Sequence, residues 1–497
     1  MADGDFLEIA KEVLGEFGIN LNGHGEETAL YAFPFTDLGN GERLASLFGN
    51  RIRYCHAWHA WLLWDGVRWC TDETGGINRL AAQTVRSMFS EAGALITGAM
   101  DIADREEAGR IAAIGEKLSG WARKSEARAR LDSMIVIAQS VEGIPVTPIE
   151  LDTDPWLLNC TNGTTNLRSG ELQDHSPADL ITKLAPVAYE PGATYGPWDD
   201  FLERTLPDST LRSFVQRAIG YSLTGVANEE RLFFMYGPTA TGKSTLLRAV
   251  TTAMGDYAAT ANFGTFLEAN RKGGDASEDL ARLAGKRLVV SIEVEEGSKM
   301  AEAVLLSVTG GEEIAARFLH QNTFQFIPQF TLWLAANNRP RISDTNDAVW
   351  RRITQVPFET QIPESERDEG LKVILTDRHV AGPAVLAWAM DGCLAWQTVG
   401  LQVPDVVNIT TQDYRDEVNP ILEFVQDCCV LMAAARISNN ELWERYNRWT
   451  KETSVRRPLG KKGFSQRLAM LAEVEAMKSG SSRFWQGIGL MADEKLL

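Results

Sequence analysis

The fold is decided by the stretch Arg231-Leu232-Phe233-Phe234-Met235-Tyr236-Gly237-Pro238-Thr239-Ala240-Thr241-Gly242-Lys243-Ser244-Thr245. Its first six residues are a short apolar run suited to a buried strand. The next nine, named here the glycine-rich loop (residues 237–245), match G-x-x-x-x-G-K-[ST] in full and lead into a helix-compatible run at 246–250. Strand, glycine-rich turn and helix in this order predict a loop whose backbone N–H groups face phosphates.

The glycine-rich loop has the residues that a nucleoside triphosphate and its metal ion need. Its glycines let the backbone curl, and the following helix N-terminus adds a favourable dipole. Lys243 can reach the β- and γ-phosphates, and the Ser244 hydroxyl can ligate magnesium. The loop therefore predicts ATP and Mg²⁺ as ligands, with all nine residues from Gly237 to Thr245 binding the nucleotide.

A second apolar run, residues 286–292, ends in Glu293-Val294-Glu295-Glu296-Gly297. An ATPase of this kind needs carboxylates at the end of a neighbouring strand, to hold hydrated magnesium and to polarise the attacking water. Glu293 comes first after the run, and alternation along a strand places Glu295 on the same side. We predict catalytic and magnesium-binding roles for Glu293 and Glu295, and the choice among these two and Glu296 stays open.

A third apolar run, residues 330–336, ends in Asn337-Asn338-Arg339-Pro340, and Trp350-Arg351-Arg352-Ile353 follows. An asparagine at a strand tip beside the γ-phosphate can orient the lytic water. In a ring, an arginine of one subunit can reach the ATP of its neighbour and stabilise the transition-state charge. Asn337, Arg351 and Arg352 are therefore predicted as catalytic, without a choice between the two arginines.

The pattern around these motifs predicts an α/β protein. Strands alternate with helices to about residue 358, which is typical of a parallel sheet. Upstream, Asp65-Gly66 between apolar residues favours a tight hairpin turn, and residues 111–138 have a helical pattern. A helix before the first motif is indicated by the spacing of Leu211, Phe214, Val215, Ala218, Ile219 and Leu223.

Composition excludes several classes of protein. The formal charge of −18 over 497 residues argues against a protein that coats DNA with its outer surface, but it permits one that holds DNA inside a channel. The six cysteines show no C-x-x-C pair, so neither a zinc ribbon nor a disulfide frame is indicated. An acidic N-terminus and the lack of an uninterrupted apolar span predict a cytoplasmic protein without membrane contact.

Taken together, the motifs resemble those of superfamily 3 helicases, and more narrowly those of the phage and plasmid primase-helicase family related to the poxvirus primase-helicase. The resemblance extends upstream of the nucleotide motifs. The matching segments are the glycine-rich loop, residues 289–293, Thr309-Gly310-Gly311, residues 332–340, Trp350-Arg351-Arg352, and upstream residues 36–40, 64–66, 151–159 and 162–163.

This resemblance implies an AAA+ type P-loop core in a homo-hexameric ring that moves along single-stranded or forked DNA, usually 3′ to 5′, with the helicase part present and no primase domain. It also implies a pore hairpin near residues 317–322, where Arg317 and His320 would contact DNA. The family often has a lysine three residues before the Thr-Gly-Gly, and here Leu306 occupies that position.

The sequence predicts five segments and a basic tail. The segments are an N-terminal helix and linker (1–35), an α+β helicase-associated domain (36–200), the ATPase core (201–380), a helical connector (381–418) and a small winged-helix domain (419–497). Eight Lys or Arg against three Glu between Lys451 and Arg483 favour DNA binding by this tail, through Lys461, Lys462 and Arg467. The stretch Ile437-Ser438-Asn439-Asn440-Glu441-Leu442-Trp443 places a capping residue before a predicted helix.

Alternatives stay open at this point. Asp152 and Asp154 imitate the paired aspartates of a primase, and tryptophans near the Asp65-Gly66 turn could stack on bases, although core packing is favoured for them. The chain could also be an ATP-switched DNA-binding initiator or scaffold, or a translocase for RNA or packaging. A separate primase or polymerase is an expected partner.

Overall fold

The computed structural model describes residues 29–267, 278–292, 299–318, 322–340, 342, 347–418, 420–453, 458–479 and 482–491. The chain forms two compact units, Met1–Tyr189 and Glu190–Leu497. The predicted helix near the N-terminus lies outside the described residues. Among the helices that are described, none combines the length and the apolar character that a membrane crossing needs.

The N-terminal unit has a helical layer and two small antiparallel sheets, ordered β1-β2-β3 and β4-β5-β6. Its core forms where α2, α3 and α4 pack on α1 and on the first sheet. The elements in chain order are α1 (Asp37–Phe48), β1 (Ile52–Cys55), β2 (Ala60–Trp64), β3 (Trp69–Thr71), α2 (Gly76–Gly98), α3 (Arg105–Ser125), α4 (Arg128–Ala138), β4 (Leu157–Cys160), β5 (Gly163–Asn166) and β6 (Glu171–Gln173).

Two buried ionic side chains fix the segment before α1. Arg43 is fully buried and donates from Nε to the Leu30 carbonyl (2.8 Å) and from Nη1 to the Pro34 carbonyl (2.9 Å). Glu91 of α2 accepts from the Leu30 N–H (3.0 Å), and burial raises the pKa of this carboxyl. Because a buried charge needs partners, these bonds tie the start of the described chain to two helices.

The predicted hairpin around Asp65-Gly66 is present, but its turn differs from the expected two-residue form. Trp64 pairs with Trp69, so four residues connect β2 to β3. The Asp65 carboxylate accepts from the backbone N–H groups of Val67 and Arg68, at 2.7 Å each, and this side chain closes the longer turn. Trp61 and Trp69 are core residues as favoured, whereas Trp58 is 48% exposed.

The C-terminal unit is built on a five-stranded parallel sheet in the order β13-β7-β12-β9-β8, which confirms the predicted parallel α/β architecture. The elements up to the last sheet strand are α5 (Gly196–Thr205), α6 (Ser209–Tyr221), β7 (Leu232–Tyr236), α7 (Lys243–Met254), β8 (Ala258–Thr260), α8 (Glu278–Ala281), β9 (Leu288–Ile292), α9 (Glu302–Thr309), β10 (Ile314–Ala316), β11 (Phe324–Phe326), β12 (Thr331–Ala336), α10 (Asp347–Trp350) and β13 (Ile353–Pro357). The helices α11 (Glu369–Leu375), α12 (Gly382–Val399) and α13 (Asp405–Val418) follow.

Helices α6 and α12 cross at very short range. A Cβ at Gly220 would lie 2.1 Å from the Cys393 backbone nitrogen, and a Cβ at Gly392 would lie 2.1 Å from the Gln216 carbonyl oxygen. Only glycine fits where two backbones approach this closely. The contact packs α6, which precedes the central strand β7, against α12.

The last part of the C-terminal unit has its own aromatic core beneath a three-stranded antiparallel sheet, β14-β16-β15. The Ser438 side chain accepts from the Glu441 N–H (3.1 Å), which confirms the predicted helix cap. The elements are α14 (Pro420–Cys428), β14 (Cys429–Ser438), α15 (Asn439–Glu452), α16 (Lys461–Leu468), β15 (Glu475–Ser479) and β16 (Ser482–Leu490).

Candidate functional site

The glycine-rich loop connects the buried strand β7 to helix α7. A Cβ at Gly237 would lie 1.9 Å from the Phe358 carbonyl oxygen, and a Cβ at Gly242 would lie 2.4 Å from Cγ2 of Thr205. Gly242 also has a φ of 87°, which other residues rarely adopt. The two glycines of the motif are therefore required by the close approach of β13 and α5 to the loop.

A cavity of about 430 Å³ lies over this loop at the carboxyl edge of the sheet. Because β12 lies between β7 and β9 with all three strands parallel, their last residues meet at one edge. The structure thus brings the loop and the predicted strand ends into a single cavity. Its lining residues are Thr239, Ala240, Thr241, Gly242, Lys243, Ser244, Thr245, Ile292, Ala335, Ala336, Asn337 and Asn338.

Lys243 is almost fully buried, with 5% of its surface exposed. Its ammonium donates to the carbonyl oxygens of Gly237 (2.8 Å) and Pro238 (2.7 Å) and to the Thr241 hydroxyl (3.0 Å). Burial lowers the pKa of Lys243 to about 8, since the charged form loses its water and its described partners are neutral. The loop therefore holds a cation that has no carboxylate among its described hydrogen-bond partners.

The start of α7 supplies further donors to the cavity. Gly242 occupies the N-cap position and no side chain caps the helix, so first-turn N–H groups remain for an external acceptor. Ser244 and Thr245 line the same cavity. A buried ammonium, an uncapped helix start and two hydroxyl groups at one wall fit a phosphate chain, and the Ser244 hydroxyl suits a hard cation beside it.

The acidic side chains predicted for this site follow the end of strand β9 in the chain. Ile292, the last residue of β9, lines the cavity. Glu293, Glu295 and Glu296 follow it in the chain but lie outside the described residues. Asn337 does line the cavity as predicted, beside Asn338, for which the sequence argument assigned no role.

The two neighbouring arginines have different surroundings. Arg352 makes an ion pair with Glu230 (3.2 Å) and donates to the Ala348 carbonyl oxygen (3.0 Å), and only 17% of its side chain is exposed. Arg351 is exposed, and its Nε donates to the Asp347 carbonyl oxygen (3.3 Å). Neither arginine lines the cavity over the glycine-rich loop.

The predicted hairpin before the third motif is present. Strands β10 and β11 pair antiparallel, with Ala316 opposite Phe324. Arg317 follows β10 and is exposed, whereas His320 lies outside the described residues. Leu306, which stands where the resembling family often has a lysine, packs against the apolar core of the unit. That position therefore offers no charge to DNA in this chain.

The predicted basic residues of the tail lie on or near α16. Lys461 is exposed and donates to the Asn440 side chain (2.8 Å), and Lys462 is exposed beside it. Arg467 is half-buried at the end of the same helix. Lys461 and Lys462 thus present two adjacent positive charges to solvent at the start of α16.

Asp152, one of the two aspartates that imitate a primase site, has another structural role. The Asp152 carboxylate accepts from the Thr182 N–H (2.8 Å) and pairs with Lys183 (2.7 Å), so it fastens a loop to its own chain. Within the described residues, no group of three or more His, Cys, Asp or Glu side chains could hold a metal ion. All six cysteines, Cys55 and Cys70 included, are free.

Three family models match separate parts of the chain. The model described as D5 N terminal like matches residues 41–207, a family of unknown function (DUF5906) matches residues 235–352, and the model described as Poxvirus D5 protein-like matches residues 416–486. The matched residues of the second model include the glycine-rich loop, strand β12 and Arg351. The chain is therefore similar to D5-like proteins over residues 41–207 and 416–486.

Proteins of large DNA viruses are similar to the chain at low identity. A protein of Acanthamoeba polyphaga mimivirus named as a putative helicase is 26% identical over 61% of this chain and 33% of its own length. One from Frog virus 3, also named as a putative helicase, is 22% identical over 86% and 56% of the two lengths. A protein of African swine fever virus named as a putative primase is 24% identical over 41% of this chain and 22% of its own length.

The chain spans about a third to just over half of the length of the two putative helicases. Among solved structures, the apo NrS-1 C terminal region is similar to the chain with a TM-score of 0.48 and 10% identity, over 91% of this chain and 99% of that one.

Proposed function

We propose that this chain is an ATP-dependent DNA helicase of the superfamily 3 type, acting in phage- or plasmid-type DNA replication. The observation that carries the proposal is the cavity that joins the glycine-rich loop to Asn337 at the carboxyl edge of a parallel sheet. Such an edge is where open α/β sheets bind nucleotides. The similar viral proteins named as putative helicases support the choice of a DNA motor over other ATPases.

In this proposal, ATP lies with its phosphates along the start of α7. First-turn N–H groups donate to phosphate oxygens, and Lys243 turns from the loop carbonyls toward the β- and γ-phosphates. Mg²⁺, when bound, would neutralise charge on those phosphates. Ser244 would hold the ion together with Glu293 or Glu295, one of which would also accept a proton from the attacking water. Asn337 would orient that water.

The proposed active unit is a homo-hexameric ring, as the family resemblance implies. Within it, an arginine of the Trp350-Arg351-Arg352 motif would act on a neighbour's nucleotide, since neither arginine lines its own nucleotide cavity. An arginine that acts on a neighbour must present its guanidinium group to solvent. Arg351 is exposed, whereas only 17% of the Arg352 side chain is exposed. We therefore assign the trans-acting role to Arg351, and to Arg352 a structural role at the start of β13.

The proposed DNA contacts are local, since a chain of net charge −18 cannot attract DNA with its whole surface. Arg317 and His320 would grip the translocating single strand, with movement 3′ to 5′. Lys461, Lys462 and Arg467 of a winged-helix-like tail would help to load forked DNA. A separate primase or polymerase would complete the replication machinery.

The proposal is tested by ATP turnover and by strand displacement from forks that carry one tail or the other. Lys243→Ala should lose ATP hydrolysis at least a thousandfold while keeping the fold and oligomer of the wild type, because it removes the charge on the β- and γ-phosphates. Undiminished hydrolysis in this variant would refute the assignment of the site. Hydrolysis without stimulation by single-stranded DNA and without fork separation would favour an ATP-switched initiator or scaffold.

A further inference from the structure

A second cavity of the C-terminal unit, about 450 Å³ in volume, shares no lining residue with the first. Helix α13 forms one wall and the short helix α10 with Arg351 forms the other. The lining residues are Asp347, Trp350, Arg351, Thr411, Gln412 and Arg415. This cavity is called the arginine cavity below.

Arg415 is held in a fixed position relative to Arg351. Gln355 of β13 donates from its backbone nitrogen to the Thr411 hydroxyl and from its side chain to the Thr410 carbonyl, both at 2.9 Å. One turn farther along α13, the Tyr414 hydroxyl donates to the Pro340 carbonyl oxygen (2.5 Å). The first two bonds fasten α13 to β13, the strand that follows Arg351, and the third fastens α13 to the segment after β12. The wall that carries Arg415 is thus tied to the wall that carries Arg351.

The residues that line the arginine cavity include two positive side chains, Arg351 and Arg415, and one negative side chain, Asp347. Arg415 donates to the Asp347 carboxylate, and Arg351 donates to the backbone carbonyl of the same residue. The lining residues thus carry two guanidinium groups and one carboxylate, which pairs with Arg415, and 32% of the Arg415 side chain is exposed. Planar guanidinium donors match phosphate oxygens in geometry, so the two arginine side chains suit a phosphate group.

We propose that Arg415 joins Arg351 in binding the phosphates of ATP held by the glycine-rich loop of a neighbouring copy of this chain. The inference rests on the proposed function and extends it to a residue that no motif of the sequence marks. Asp347 would keep Arg415 extended in the cavity between encounters. In the assembled ring, the Arg415 guanidinium would donate to a phosphate oxygen and so stabilise the charge that builds up during hydrolysis.

The test is ATP turnover by mixed rings. Arg415→Ala should lower turnover by about a hundredfold, in the range seen when one charge-stabilising donor is removed. Each such subunit keeps an intact nucleotide site, whereas each Lys243→Ala subunit keeps an intact arginine cavity. In rings formed from equal amounts of the two, about a quarter of the interfaces combine both intact halves, so about a quarter of wild-type turnover should return.

Two control variants separate phosphate binding from structural effects. Arg415→Lys keeps a positive charge that can pair with Asp347 but loses the planar guanidinium group, so it should keep the fold of the wild type and still lose most of the turnover. Arg282→Ala removes another exposed, ion-paired arginine of the same unit and should leave turnover unchanged. Full turnover in Arg415→Lys, combined with a loss of both turnover and thermal stability in Arg415→Ala, would overturn the proposal in favour of a purely structural ion pair.

The remaining outcomes are also decisive. Mixed rings no more active than the average of their two parents would overturn a trans role for Arg415. Wild-type basal turnover in Arg415→Ala, combined with weaker single-stranded DNA binding, would assign the cavity to DNA phosphates instead. Absent turnover in the wild type would overturn the proposed function together with this inference, whereas turnover that is lost in Lys243→Ala but kept in Arg415→Ala would overturn this inference alone.

Discussion

The lowered pKa of Lys243 should make nucleotide affinity depend on pH near pH 8, where most lysine side chains stay fully protonated. Burial lowers the pKa of this side chain to about 8, and its described partners in the loop are neutral oxygen atoms. Phosphate favours the charged ammonium, so the pKa of Lys243 must rise when ATP binds. Affinity is therefore constant well below pH 8 and falls as the pH rises through the pKa of the free protein.

The size of the effect follows from the fraction of protein that carries the ammonium. With a pKa of about 8, about nine tenths of the free protein is protonated at pH 7 and about one tenth at pH 9. The dissociation constant for a non-hydrolysable ATP analogue should therefore rise about tenfold between these two pH values. Fluorescence anisotropy of a labelled analogue at constant Mg²⁺ would measure it.

Lys243→Arg is the control for this experiment, because a guanidinium stays charged throughout the range. Its affinity should change little between pH 7 and pH 9, whatever its absolute value. A wild-type affinity that is flat over the same interval would show that Lys243 is charged throughout, and the burial argument would be wrong. An equal decrease in Lys243→Arg would assign the titration to another group.

Two further predictions concern packing and the tail. Gly220→Ala should lower the free energy of unfolding of the C-terminal unit by about 1–3 kcal/mol in chemical denaturation, because the added Cβ would overlap the α12 backbone. Gly120→Ala is the control. Its Cβ would have nothing within 4 Å, so this variant should be neutral or stabilising. A tolerated Gly220→Ala would mean that the two helices can separate at little cost. Deleting residues 419–497 should weaken DNA binding and flatten its salt dependence while leaving basal ATP turnover largely intact, since every catalytic residue proposed from the motifs precedes them. An unchanged salt slope would make the tail a protein-docking or oligomer-stabilising element.

The sequence by itself determined those features that depend on neighbouring residues. The strand, loop and helix around Lys243 and the cap at Ser438 follow from local backbone preferences and periodicity, whereas the hairpin after Ala316 was expected only from the family resemblance. The parallel sheet followed from the alternation of strands and helices. The length of the turn at Asp65 was not predicted, because a side-chain hydrogen bond closed a four-residue connection.

Only the tertiary structure decided which of these residues share a cavity. The residues of a single strand do not determine its place in a sheet. Asn337 lies in one cavity with the glycine-rich loop because β12 lies between β7 and β9. Arg351 and Arg352 are adjacent and chemically identical, and the position of Glu230 distinguishes them. Arg415 joins Arg351 because α13 packs on β13. Such contacts arise from the packing of segments far apart in the chain, for which no local pattern exists.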